Sequence, residues 1–347
     1  MFACQIMYKI SDIKPISMRF LKLSYFILLI IFTSCNDELI INAEYKDITI
    51  VYGLLSPQDT IHYIKIGKAF LNNNNNAMLI AREMDSLYYK DSLVVVLDEY
   101  KNNRFIKSIN LNKVFKSDKD SGIFAFPGQY LYATPKTQLD PMASYQLKIS
   151  NLTTGKLIRS STSLVNQFSS IRPQAGGNIP FYSNHDYKIE WFSGKNAYFY
   201  DLTVVIHYYE YNKLSPTIKT NKSISWPIFT YRKTTKLEGN ELMSRDIPGS
   251  SFFDFLSSAI AVDQNLQREF GTLDFIFTAG GEEIFYYIDV NEPSVGTVQK
   301  KPEYTNIENG YGIFSSRNQS FVKAYLSPSS ILEVKSNSKT INLNFVK

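Results

Sequence analysis

Two stretches decide the fold of this chain: Tyr187 to Phe192, YKIEWF, and Ala197 to Tyr211, AYFYDLTVVIHYYEY. In both, apolar and polar residues alternate, and the apolar positions are rich in aromatic and β-branched side chains. That is the period-two signature of a strand with one buried face. A four-residue break, Ser193 to Asn196 (SGKN), separates them and supplies turn chemistry. The pair reads as two adjacent strands of a sandwich.

The same grammar extends outward in both directions. Ile48 to Leu55, Thr60 to Phe70, Leu93 to Tyr100, Tyr145 to Ser150 and Leu157 to Val165 read as strands on the N-terminal side, with later ones at Ile224 to Arg232, Thr272 to Ala279, Glu283 to Val290 and Phe321 to Leu326. Pro57 with Asp59, Asn102 with Asn103, Pro127 with Gly128, and Thr154 with Gly155 punctuate them. The expected class is mainly β: two antiparallel β-sandwich domains, 45–165 and 166–347. One segment, Ser251 to Gln267, places Phe252, Phe255, Leu256, Ala259, Ile260 and Leu266 near helical spacing and predicts a single helix over 251–267, packed on a sheet or presented to a partner. The five asparagines Asn72 to Asn76 predict a loop.

YKIEWF followed by its long alternating neighbour resembles strands B and C of fibronectin type III and other immunoglobulin-like folds. The resemblance implies that Trp191 is a core tryptophan; stacking on a ligand is the competing role.

The N-terminus carries a different message. The run Phe20 to Phe32, FLKLSYFILLIIF, follows Arg19 and gives way to Thr33, Ser34 and Cys35. The run is broken only by Lys22 and Ser24, and its apolar core, Leu23 to Phe32, has the length of a signal h-region, about 7 to 15 residues, and is too short for a membrane span of roughly 20. Small residues before a cysteine suit a bacterial lipoprotein signal, so residues 1–34 are expected to be removed, Cys35 to carry the lipid, and 35–44 to form a tether. A plain secretory signal is the alternative. Met18-Arg19 makes a compact start for such a signal, so Met1 and Met18 are both candidate start codons. Asn36, Asp37 and Glu38, directly after the cysteine, resemble the surface-export signal of Bacteroidota lipoproteins.

Removing the leader takes away four basic residues and one acidic one, so the net charge of +5 falls to +2. No basic block remains to serve as a footprint for nucleic acid. Of the two cysteines, Cys4 lies in the leader and Cys35 would be lipidated, which leaves the folded part without disulfide chemistry.

His62, His185 and His207 are not spaced as ligands of one metal, no cofactor fingerprint occurs, and no catalytic residue is assigned. Glu282 and Glu283, read at a hairpin, would point to opposite faces of a strand and make a poor glycosidase pair. Thr60, Ser86 and Ser92, each preceded by Asp and followed by an apolar residue, match a short O-glycosylation pattern of Bacteroidota. The 48 Phe and Tyr residues exceed what a core needs, leaving rings for protein or glycan contact.

VYGLLSPQDTIHYIKIGKAF (Val51 to Phe70), YQLKISNLTTGKLIRSSTSL (Tyr145 to Leu164) and YTNIENGYGIFSSR (Tyr304 to Arg317) resemble outer-membrane lipoproteins of Bacteroidota encoded near TonB-dependent receptors. The resemblance implies an outer-membrane, lipid-anchored, surface-exposed protein with a non-enzymatic binding or accessory role and a transporter, surface glycan or protein as partner. The alternatives are an adhesin or fimbria-like subunit, whose donor strand would be the tail Lys335 to Lys347, and a glycan or peptide hydrolase.

Overall fold

The computed structural model describes residues 48–69, 82–117, 128–292 and 303–346. Cys35, Asn36, Asp37, Glu38, the leader and the asparagine run lie outside them.

Alternation becomes burial along nearly every strand. The first half of the chain contributes β1 (Thr49–Leu55), β2 (Tyr63–Lys68), the single-turn α1 (Met84–Leu87), β3 (Leu93–Lys101), β4 (Arg104–Lys116), β5 (Gln129–Ala133), β6 (Ser144–Asn151) and β7 (Leu157–Ser163). On β6 the residues Tyr145, Leu147 and Ile149 are buried while their neighbours are half-exposed. Asn102 and Asn103 both take positive φ, 51° and 60°, and close the two-residue β3–β4 turn. Such a turn follows the twist of the strands, and asparagine tolerates the left-handed region.

The second half contributes β8 (Ser169–Arg172), β9 (Asn178–Ile179), β10 (Tyr187–Phe192), β11 (Phe199–Asn212), β12 (Thr220–Lys233), β13 (Leu242–Ile247), α2 (Gly249–Ala259), β14 (Leu266–Gly280), α3 (Glu282–Asn291), β15 (Tyr311–Leu326) and α4 (Pro328–Ser336). A large sheet runs β12-β11-β14-β15-β1-β2-β5-β4-β3-β6-β7, with β9 also paired to β15, and a small sheet runs β13-β10-β8. The chain is mainly β, and its packing is that of a β-sandwich. β10 and β11 belong to different sheets and meet across the core, where Trp191 contacts Tyr200, Phe229 and Phe277 at ring-centroid distances of 5.5 to 5.7 Å.

β15 is shared between two parts of the large sheet. Its first residues, Tyr311 to Ser316, lie parallel to β1, and Arg317 to Tyr325 lie antiparallel to β14. Two apolar clusters result. One joins β1 to β7 with Ile307 and Phe314, and the other occupies the second half of the chain around Trp191 and Phe277.

Three expectations are corrected. The predicted 251–267 helix ends at Ala259; Asp263 then accepts a hydrogen bond from the Asn265 backbone at 2.8 Å, and Leu266 opens β14. An aspartate-initiated turn competes with helix continuation, and this one wins. Glu283 to Val290, expected as a strand, lies in helix α3, so Tyr286 and Tyr287 are helical as well. Glu282 and Glu283 sit in its first turn, where acidic groups favour a helix, while the aromatic and β-branched content had suggested a sheet. The tail is not a free donor strand. Phe345 stacks on Phe270 at 4.1 Å, and Arg268 exchanges backbone hydrogen bonds with Asn344 and Val346.

His62 is buried at 1% exposure, and neither ring nitrogen has a hydrogen-bond partner of good geometry among the described residues. Burial lowers its pKa below the ordinary 6.5 and outweighs the opposing pull of Asp59. Below about pH 6.5 the unfolded chain therefore binds a proton that the native one resists. Stability from this residue is complete above that pH and is lost as the pH falls toward the lowered native value. In thermal melts across a pH series, His62→Leu is expected to flatten the decline of Tm on the acid side of pH 6.5; an unchanged slope would exclude this origin.

Candidate functional site

The four strands β12, β11, β14 and β15 bury Leu202, Val204, Ile206, Leu273, Phe275, Phe277, Val322 and Ala324 on one face. Alternation sends Thr203, Val205, His207, Asp274, Ile276, Thr278, Phe321, Lys323 and Tyr325 to the other. None of these outward residues is buried; Phe321 is 62% and Tyr325 47% exposed.

A bulge shapes one end of this face. Ile206 pairs with Leu273, but Tyr208 pairs with Phe270, so Gly271 and Thr272 together stand against His207. The extra residue reverses the side-chain parity of β14, which lets Phe270 and Leu273 both serve the core. Glycine eases the packing there, because a Cβ at Gly271 would lie 3.0 Å from the His207 carbonyl oxygen, a tight contact. Next to the bulge, His207 Nε2 is 3.1 Å from Asp274 Oδ2, while Asp274 Oδ1 is sealed from solvent without a partner.

These groups border a cleft of about 570 Å³, walled by Tyr209, Tyr325 and Phe270 and edged by Asn221, Lys222, Thr272 and Lys323. Lys222 Nζ reaches Glu210 only at 3.9 Å, whereas Arg268 holds the same carboxylate at 2.8 Å. Lys323 has no carboxylate within 4.0 Å among the described residues. A second cleft, about 730 Å³, contains Arg172, Tyr182, His185 and Lys188. There Glu190 already engages both cations, at 4.0 Å from Arg172 and 3.0 Å from Lys188, which leaves less charge to offer a ligand.

The far end of the outer face is closed by α3. Phe285 packs among Tyr198, Phe199 and Tyr231, and Lys233 Nζ sits 4.0 Å over its ring. Tyr231 has φ 56°, a costly conformation for a bulky residue. Its N–H donates to Asp201 Oδ1 at 2.7 Å, and burial pushes the Asp201 carboxyl above its usual range. Glu283 is also pushed up by burial and accepts from Ser315 Oγ at 2.8 Å. Both acids are tied to structural partners at the base of this aromatic plug.

His207 is thus brought to Asp274, but His62 and His185 are placed elsewhere; His185 is exposed and bonded to the Asn184 side chain. Thr60 is exposed, Ser86 lies on α1, and Ser92 is half-buried ahead of β3. Among the described residues no group of three or more His, Cys, Asp or Glu could hold a metal ion, and no helix is long and apolar enough to cross a membrane. The His207–Asp274 pair escaped sequence reading because the two residues belong to different strands. Gly271 inside an otherwise regular strand pattern was the available signal.

Fold and site together define a mainly β, sandwich-type protein with an open aromatic sheet face. No family profile matches the chain. No curated relative matches it either. Among solved structures it is similar to the C-terminal globular domain of an oligosaccharyltransferase from Pyrococcus abyssi, at 11% identity and a TM-score of 0.22, over 63% of this chain and 44% of that one. The chain thus spans less than half the length of that structure.

Proposed function

We propose that this is a non-enzymatic binding lipoprotein, anchored through Cys35 in the outer membrane and directed to the cell surface by Asn36, Asp37 and Glu38. Its binding surface is the outer face of β12-β11-β14-β15, and its partner is a TonB-dependent transporter or a surface glycan. The observation that carries the reading is the set of exposed rings of Phe321 and Tyr325 on β15 and Tyr209 on β11, the two strands on either side of β14. Exposed aromatic rings on a rigid scaffold provide contact area at little conformational cost. The neighbouring edge argues for the face over the edge: β12 carries Pro227, Lys222, Arg232 and Lys233, devices that discourage strand addition. The Bacteroidota family resemblance supports the anchor and the address.

The purified mature chain is expected to capture a component of solubilised outer membranes. Phe321→Glu should lower that capture at least about tenfold, a loss of about 1.4 kcal/mol, with Tm unchanged. Equal capture by the variant would remove the face from the proposal. Cys35→Ala should release the protein from membranes.

One observation favours an enzyme as second reading. Ser223 on β12 stands opposite His207, and Asp274 is bonded to the same imidazole. No hydrogen bond joins Ser223 to His207 among the described residues, and the carboxylate occupies Nε2. Ester turnover that is abolished by Ser223→Ala would establish the hydrolase and overturn the binding role.

A further inference from the structure

Taking the outer face as the binding surface, we infer that the His207 cleft takes a sugar ring bearing a single carboxylate, a uronate-type unit of a glycan. Tyr209 on β11 and Tyr325 on β15 flank β14 from its two sides, Tyr209 level with Glu269 and Tyr325 level with Thr272, so they stand diagonally across the strand, two strand spacings or about 10 Å apart laterally and offset along it as well. A saccharide lying over Gly271 and Thr272 therefore meets an aromatic side chain on each flank. The floor is polar: His207 and Asp274, with Asn221 on β12 beyond Tyr209, present both donors and acceptors, which suits hydroxyl groups and penalises an aliphatic chain.

The charge comes from the lysines. Lys323 is cross-strand from Asp274 yet pairs with no carboxylate within 4.0 Å among the described residues. Lys222 holds only the outer edge of Glu210, whose stronger contact is to Arg268. A ligand carboxylate would complete Lys323 where a neutral sugar leaves it to water. Phosphate is the poorer fit: the cleft has no arginine fork and no helix N-terminus, only two point-charge ammonium groups.

The test is isothermal titration of the folded chain with galacturonate and glucuronate oligosaccharides, beside galactose and glucose oligomers of matched length and the corresponding sugar phosphates. The acidic oligomers should bind at least about tenfold more tightly than the neutral ones, and the preference should weaken with added salt as the pair is screened. Lys323→Ala should abolish the preference for the acidic oligomers, while Tyr325→Ala should weaken binding of acidic and neutral oligomers alike. Equal affinity for acidic and neutral oligomers, tighter binding of the phosphates, or no saturable binding to any of them would overturn the assignment. Those results leave the outer face itself standing, because it is tested separately, by whether Phe321→Glu preserves membrane capture.

Discussion

Replacing Arg268 by methionine should lower the unfolding free energy by about 3–5 kcal/mol, the cost of leaving one member of a buried ion pair alone. Arg268 is 2% exposed, and every arm of its guanidinium is used. Nε meets Glu210 at 2.8 Å, Nη1 donates to the Leu343 carbonyl at 2.7 Å, and Nη2 donates to the Ala261 carbonyl at 2.9 Å. One side chain thus links β11, the segment after α2 and the C-terminal tail to β14. Methionine keeps much of the volume but supplies no donor, so Glu210 is left with only its 3.9 Å contact to Lys222 and two carbonyls lose their guanidinium donor. Urea melts should show the loss, and hydrogen exchange should show the segment around Leu343 to Val346 opening before the rest. The double variant Arg268→Met, Glu210→Met should recover a substantial part of the stability, since an apolar pair leaves no uncompensated charge. A loss below about 1 kcal/mol for the single variant would mean that solvent reaches this site readily.

The second large effect is expected at Trp191, which has no accessible surface and packs flat against Phe229, with Tyr200 and Phe277 on other sides. Trp191→Ala should cost about 3–5 kcal/mol through lost burial and the cavity left behind. Trp191→Phe should behave differently. The indole Nε1–H is buried without an acceptor among the described residues, a defect worth about 1–3 kcal/mol. Removing that donor offsets much of the smaller cavity, and the phenylalanine variant should fall within about 1 kcal/mol of the parent. Two equally damaged variants would show that ring volume alone matters here, whereas two mild ones would place Trp191 outside the tightly packed core.

These contrasts show where sequence reading reached and where it stopped. Trp191 and its alternating neighbours are legible because a strand with one buried face writes its geometry into every second residue. Asn102-Asn103 is legible because few residues accept two successive positive φ values. Helix α3 was misread because EEIFYYIDV offers β-prone side chains on a segment that Gly281 and two glutamates start as a helix. The His207–Asp274 pair depends on which strands become neighbours, and on a one-residue bulge at Gly271 that local alternation does not reveal. Long-range pairing also hides the partnership of β1 with β15. β1 is readable singly, but of β15 only Phe321 to Leu326 is, and the parallel contact of Tyr311 to Ser316 with β1 joins segments from opposite ends of the described chain.

That contact governs the order in which the molecule can assemble. Phe314 lies in the first apolar cluster, and β1 has one neighbour in β2 and its other in β15. However early the N-terminal strands emerge from a ribosome or an export channel, one side of β1 stays unpaired until Tyr311 to Ser316 arrive. Closing so wide a loop is entropically slow, and the waiting strand edge is exposed meanwhile. The first half of this protein is therefore obliged to stay unfinished until β15 has been made, a natural client for factors that shield nascent β edges.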